Sequence, residues 1–279
     1  MSTAVRVRGL RKEYPDHLAV AGIDLDIRHG EVFALLGPNG AGKTTTVEIL
    51  EGHRRRTGGE ARVLGEDPGS AGRAWRARLG IVLQTATDAA ELTVRETVRH
   101  FARYYPNFRN PEEVIEQVGL SAKAGARVRS LSGGQRRRVD VALGIVGRPE
   151  LLFLDEPTTG FDPEARRQFW TLIDGLADDG TTIVLTTHYL DEVEALADRL
   201  AVLAGGGLVA EGTPATLGGR ERADAIVRWT DERGNHEERT AFPAKLVTQL
   251  SGDGRELAGL TVTRPSLEDV YLDLIGEKP

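Results

Sequence analysis

Gly37-Pro38-Asn39-Gly40-Ala41-Gly42-Lys43-Thr44-Thr45 satisfies the phosphate-loop pattern G-x-x-x-x-G-K-[ST] at every fixed position. The apolar run Val32-Phe33-Ala34-Leu35-Leu36 precedes it and Thr46-Val47-Glu48-Ile49-Leu50 follows. A buried strand leading into the loop and a helix leading out is therefore expected, which is the context the pattern requires. Glycines at 40 and 42 allow positive φ, so that successive backbone N–H groups can curl around phosphate oxygens at the positive end of the helix. Lys43 would then reach the β- and γ-phosphates, and the Thr44 hydroxyl would be placed to ligate Mg²⁺. Chance would supply roughly 0.007 such matches in a chain of this composition. The chain carries five Lys against thirty-one Arg, yet Lys stands at 43, where a compact point charge suits the site better than a planar guanidinium.

Two acids extend the argument. The run Leu151-Leu152-Phe153-Leu154 ends in Asp155-Glu156, and unbroken apolarity predicts a central parallel strand covered on both faces. Ligands in such sheets bind at the carboxyl ends of strands, where both acids fall. Thr181-Thr182-Ile183-Val184-Leu185-Thr186-Thr187 ends at His188 in the same way, and Leu79-Gly80-Ile81-Val82-Leu83 ends at Gln84.

At 279 residues there is room for one large domain or two modest ones. The net charge of −6 gives no basic footprint for nucleic acid. The absence of Cys excludes disulfides and cysteine-based metal sites and is compatible with a reducing cytoplasm. The first residues lack the apolar centre of a signal peptide, and no window approaches eighteen uninterrupted apolar residues, so a chain that spans no bilayer is expected.

Val5 and Val7, then Ile23, Leu25 and Ile27, predict antiparallel strands with one wet face. Tyr14, between them, is either a turn aromatic or a ring for stacking on a base. From about residue 85 to 148 the pattern becomes helical: Thr93-Val94-Arg95-Glu96 is a capping box and Pro111-Glu112-Glu113 a second helix start. This stretch closes with Leu131-Ser132-Gly133-Gly134-Gln135, in which Ser132 is an N-cap for a helix carrying Val139, Leu143 and Val146. Beyond residue 220, Ala225 to Trp229 predicts a hairpin strand, Leu260 to Thr263 another, and Ser266 caps a short amphipathic helix whose apolar side is expected to pack on its own domain.

Taken in order, the phosphate loop, Gln84, Leu131 to Gln135, Asp155-Glu156, Thr159-Gly160-Phe161-Asp162 and His188 resemble the ATP-binding cassette family over about residues 4 to 218. The Arg264 to Leu272 tail further resembles the exporter branch that includes daunorubicin-resistance cassettes. The resemblance implies an α/β fold of P-loop NTPase type with a mixed central sheet, an N-terminal antiparallel β subdomain, a helical insert and a small C-terminal α+β appendix. The ATPase domain would occupy residues 1–220 and the appendix 221–279. ATP and Mg²⁺ would be bound by Gly37, Pro38, Asn39, Gly40, Ala41, Gly42, Lys43, Thr44 and Thr45, with Tyr14 stacked on adenine. Asp155, Thr44 and Gln84 would serve the metal. Glu156 would be the general base, with Gln84 and His188 at the γ-phosphate. Phe161 stands where the family more commonly has Leu.

Ser132, Gly133, Gly134 and Gln135 would form a second anion grip, which one site cannot use unless another molecule supplies it. A symmetric head-to-tail dimer is expected, a homodimer or a pair with a second, different cassette, and the resemblance implies a separate transmembrane permease docked on the helical insert, with the cassette peripheral on the inner face of the membrane. Three other readings compete: a cassette ATPase acting on ribosomes or nucleic acid, an importer ATPase, and a module that binds ATP without hydrolysing it. The stretch between Lys43 and Ser132 has no sustained heptads and only one signature occurs, which disfavours the first; Glu156 and His188 disfavour the last.

Overall fold

In a computed structural model, residues 2–82, 91–231, 233–252 and 256–276 are described here. They form two compact units, Met1–Val209 and Ala210–Pro279.

In the first unit, β1 (Thr3–Tyr14) and β2 (His17–Arg28) form an antiparallel hairpin. β3 (Val32–Leu36) runs into the phosphate loop, and α1 (Lys43–Leu50) leaves it. β4 (Gly58–Val63) returns to pair with β1, giving a three-stranded sheet in the order β2-β1-β4. Register places Val5 opposite Ile27 and Val63, and Val7 opposite Leu25 and Ala61, all buried; Arg8 bonds Asp26 at 2.6 Å on the wetter side. The short α2 (Arg73–Arg76) buries Trp75, whose indole N–H donates to the Val63 carbonyl at 2.8 Å.

β5 (Leu79–Val82) precedes the helical stretch: α3 (Val94–Ala102), α4 (Pro111–Gln117) and α5 (Gly133–Val146). The Thr93–Glu96 capping box opens α3, and Asn110 with Pro111 opens α4. The helix α3 ends at Ala102, where residues to Tyr105 continue as turns. The close seat of α5 on β5 needs two glycines, since a Cβ on Gly80 would stand 2.3 Å from the Gly144 carbonyl oxygen.

β6 (Leu151–Asp155), α6 (Pro163–Asp178), β7 (Thr182–Thr186), α7 (Leu190–Leu196), β8 (Arg199–Ala204) and β9 (Gly207–Gly212) complete the central sheet, ordered β5-β6-β7-β3-β8-β9. The first five are parallel. A two-residue connection at Gly205-Gly206 turns β9 back against β8, because parallel neighbours need a long crossover. The sheet is therefore mixed. β3 and β7 are buried at every residue and β6 at its first four, as unbroken apolar runs require.

In the second unit, β10 (Ala225–Asp231) and β11 (Gly234–Thr240) pair antiparallel, and β12 (Ala258–Thr263) adds to β10 on the other side. α8 (Pro243–Ser251), which the periodicity does not announce, packs beside β10. α9 (Leu267–Ile275) starts from a Ser266–Asp269 capping box, buries Leu267 and packs on the 3₁₀ segment Leu217–Arg222 of the same unit.

Candidate functional site

The phosphate loop takes its shape from sterics. Gly40 has φ 80° and Gly42 φ 97°, conformations that side chains resist. Space forbids side chains as well: a Cβ on Gly37 would lie 2.3 Å from the Leu203 carbonyl oxygen, and one on Gly42 2.3 Å from that of Ala19. Lys43 is buried, and its ammonium donates to the carbonyls of Gly37 at 2.5 Å and Pro38 at 3.1 Å. Burial lowers its pKa, while Glu156 and Asp155 oppose that shift. The cation is thus held against the loop by two of the loop's own carbonyls.

β6 delivers the acids to the same place. A cavity of about 330 Å³ is lined by Asn39 through Thr45 together with His17, Ala19, Asp155 and Glu156. Asp155 Oδ1 accepts a hydrogen bond from the Thr186 hydroxyl, and the Glu156 N–H donates to the Thr186 carbonyl at 3.0 Å. His188, two residues past β7, brings Nδ1 within 3.3 Å of Glu156 Oε1, and its ring lies 4.1 Å from that of Tyr189. A carboxylate beside an imidazole, facing a phosphate loop, can orient a water and move its proton.

The donors suit a magnesium nucleotide. Gly40 and Gly42 line the cavity without side chains, Lys43 lines it as well, and the Thr44 hydroxyl and Asp155 carboxylate are hard oxygen donors on the same lining. Mg²⁺ takes few protein oxygens and completes its shell with water and phosphate.

Tyr14 does not line this cavity. Its hairpin partner His17 does, with the two rings stacked at 4.9 Å and 15°. Lys12 and Arg54 also lie over the Tyr14 ring, at 4.9 and 5.5 Å. Sequence reasoning missed His17, although a two-residue Pro15-Asp16 turn places residues 14 and 17 opposite one another. Gln84 lies outside the described residues.

Ser132, Gly133, Gly134 and Gln135 are not part of the phosphate cavity. Ser132 caps α5 reciprocally with Gln135: the Gln135 N–H donates to the Ser132 hydroxyl at 3.3 Å, and the Ser132 N–H to Gln135 Oε1 at 3.1 Å. Ser132 and Gly133 are exposed. Phe161 packs edge-on against Phe169 and stands next to Gly134, so the aromatic fills an apolar seat between the signature and α6.

Three groups near the site had no local signal in the sequence. Glu51 at the end of α1 is 3% exposed, and its carboxyl is pushed up to about 8 by burial, with Asp155 and Glu48 adding to the effect. Glu192 on α7 is fully buried; burial raises its pKa, and the hydroxyls of Thr187 and Thr158 counter it. Arg137 on α5 is buried as well, and its bonds run to the segment that carries Glu156.

A family model for the ABC transporter matches residues 20–159, half of the chain, and spans the loop, the signature and the acids. The chain belongs to the ABC transporter family. It is 38% identical to the Nod factor export ATP-binding protein I of Rhizobium sp. strain N33, covering 99% of this chain and 98% of that one. It is 37% identical to the daunorubicin/doxorubicin resistance ATP-binding protein DrrA of Streptomyces peucetius, covering 98% and 92%. Among solved structures, an ATP-binding subunit of an ABC transporter superposes with a TM-score of 0.72 at 22% identity, covering 97% of this chain and 99% of that one. A dimeric bacterial ABC transporter cassette superposes at 0.68 and 23% identity, covering 75% and 98%. This ABC protein is an ATP-binding subunit that hydrolyses ATP.

Proposed function

We propose that this chain is the motor of an exporter: two copies close head to tail on two ATP molecules, drive a separate membrane permease, and reopen on hydrolysis. The observation that carries this is the division of the candidate residues within the first unit. The phosphate loop, Asp155 and Glu156 share one cavity, with His188 beside Glu156, whereas the exposed Ser132 cap belongs to no part of it. An exposed helix N-terminus suits the γ-phosphate of an ATP held by a second copy. The dimeric cassette among the solved structures supports pairing of two copies.

In the closed pair, the loop from Gly37 to Thr45 cradles the phosphates, Lys43 neutralises them and Tyr14 with His17 offers the adenine a stacking surface. Thr44, Asp155 and Gln84 would hold Mg²⁺, which would supply positive charge against the phosphates. Glu156 orients the attacking water and takes its proton; Gln84 and His188 keep the water and the γ-phosphate in line. Residues 1–220 would form the ATPase domain and 221–279 an accessory region.

Among the described residues no helix is long and apolar enough to cross a membrane. In this reading the path for cargo belongs to another chain, which would hold the cassette at the inner face of the membrane by docking on the helices between residues 94 and 146. Tyr104 and Phe108 are exposed there at 69% and 44%. Relatives named for Nod factor export and daunorubicin resistance support an amphiphilic cargo such as a drug or lipid, and favour export over a role on ribosomes or nucleic acid.

Tagged Glu156→Gln protein, purified with MgATP from gently solubilised membranes, tests this. The expected result is stoichiometric recovery of a multi-helix membrane protein; recovery of only ribosomal or other non-membrane partners would overturn it.

A further inference from the structure

Glu156 has φ 45°, one of three non-glycine residues with positive φ among the described residues. A side-chain-bearing residue stays in that region only where its surroundings hold it there. What holds Glu156 comes from another element. The buried guanidinium of Arg137, five residues past the Ser132 cap on α5, donates from Nε to the Pro157 carbonyl at 3.2 Å and from its terminal amine to the Asp155 carbonyl. These are the carbonyls of the residues immediately before and after Glu156. On the other side, the Glu156 N–H is bonded to Thr186 of β7.

The planar fork explains why Arg is needed. Its donors are fixed relative to one another, so the two carbonyls that flank Glu156 can be gripped at once, which a single ammonium on a flexible stem cannot fully reproduce. Desolvation at this depth disfavours the cation, and the carboxylates of Asp140, Asp155, Glu156 and Glu192 offset it. A buried cation is thereby maintained where its bonds go to backbone.

We infer that Arg137 is a positioning residue for hydrolysis: it clamps the peptide groups on both sides of Glu156, aims the carboxylate, and makes that aim depend on how the signature helix is seated. The inference rests on Glu156 being the base. It gives the Ser132 end of α5 a mechanical connection to the chemistry of its own subunit, so that ATP gripped in trans by the signature is felt at the base in cis. Arg137 does not line the phosphate cavity, so nucleotide binding should be spared.

The test compares steady-state ATP hydrolysis by the full chain carrying Arg137→Met, Arg137→Lys or Glu156→Gln, with thermal melts of each. Arg137→Met should lower kcat about ten- to hundredfold, the scale of a misplaced catalytic group, with KM for ATP changed less than about twofold. Arg137→Lys should recover part of kcat. If Arg137→Met does not fold, the Arg137→Lys split between kcat and KM decides: a lower kcat at constant KM supports the inference. Unchanged kcat in the folded Arg137 variants, with Glu156→Gln inactive, overturns the clamp and leaves the base assignment standing. Wild-type kcat in Glu156→Gln overturns the assignment itself, and with it the clamp.

Discussion

Glu51→Gln should change how this protein's stability depends on pH. The Glu51 carboxyl is buried at the end of α1, 3.2 Å from His53 Nδ1, with Asp155 and Glu48 as negative neighbours, and is pushed up to about 8 from the ordinary 4.5. The folded state keeps this proton up to about pH 8, whereas the unfolded chain releases it near 4.5. Between those values the folded state binds more protons, so stability falls as pH rises. The contribution is fully present below about pH 4.5 and lost as pH climbs through about 8. At 1.36 kcal/mol per pH unit, the interval sets a ceiling of about 5 kcal/mol. Gln keeps the volume and cannot titrate. Urea unfolding of both proteins at pH 5, 6, 7 and 8, followed by far-ultraviolet circular dichroism, gives a difference curve in which shared titrations cancel. The expected curve rises in favour of Glu51→Gln by at least about 2 kcal/mol from pH 5 to 8. Asp67, held down to about 2 chiefly by its bonds to Arg56, stays ionised throughout this window. A flat difference curve would refute the reasoning.

Gly42→Ala should abolish ATP binding, read by equilibrium dialysis, because the new methyl meets the Ala19 carbonyl and the loop loses its left-handed turn. Binding at wild-type affinity would show that the loop tolerates a side chain. Trp75→Ala should cost about 3–5 kcal/mol in the same urea assay, since it empties a fully buried site and leaves the Val63 carbonyl without its indole donor. A loss below about 1 kcal/mol would mean that the site collapses freely.

The phosphate loop, the apolar strands ending in Asp155 and near His188, and the capped helices α3, α5 and α9 were readable because each is written in neighbouring residues: a strand–loop–helix, a capping box, an unbroken apolar run. Arg137 and Glu192 were not, since a charged residue on a helix reads as solvated surface until tertiary packing closes over it. Glu51 was hidden for the same reason. His17 could have been found from hairpin pairing with Tyr14. α8 escaped because Phe242 gives it no side-chain cap, leaving Pro243 as its one start signal. The separation of Ser132 from the phosphate cavity depends on how α5 is placed against the sheet, which no local pattern encodes.

The central claim, that the nucleotide site is completed by a second copy, is tested most directly by light scattering of Glu156→Gln protein with MgATP. A mass of two copies is expected with ATP, one copy with ADP, and one copy with ATP once Ser132→Arg is added. A single-copy mass with ATP demonstrably bound, or a dimer indifferent to Ser132→Arg, would contradict the account.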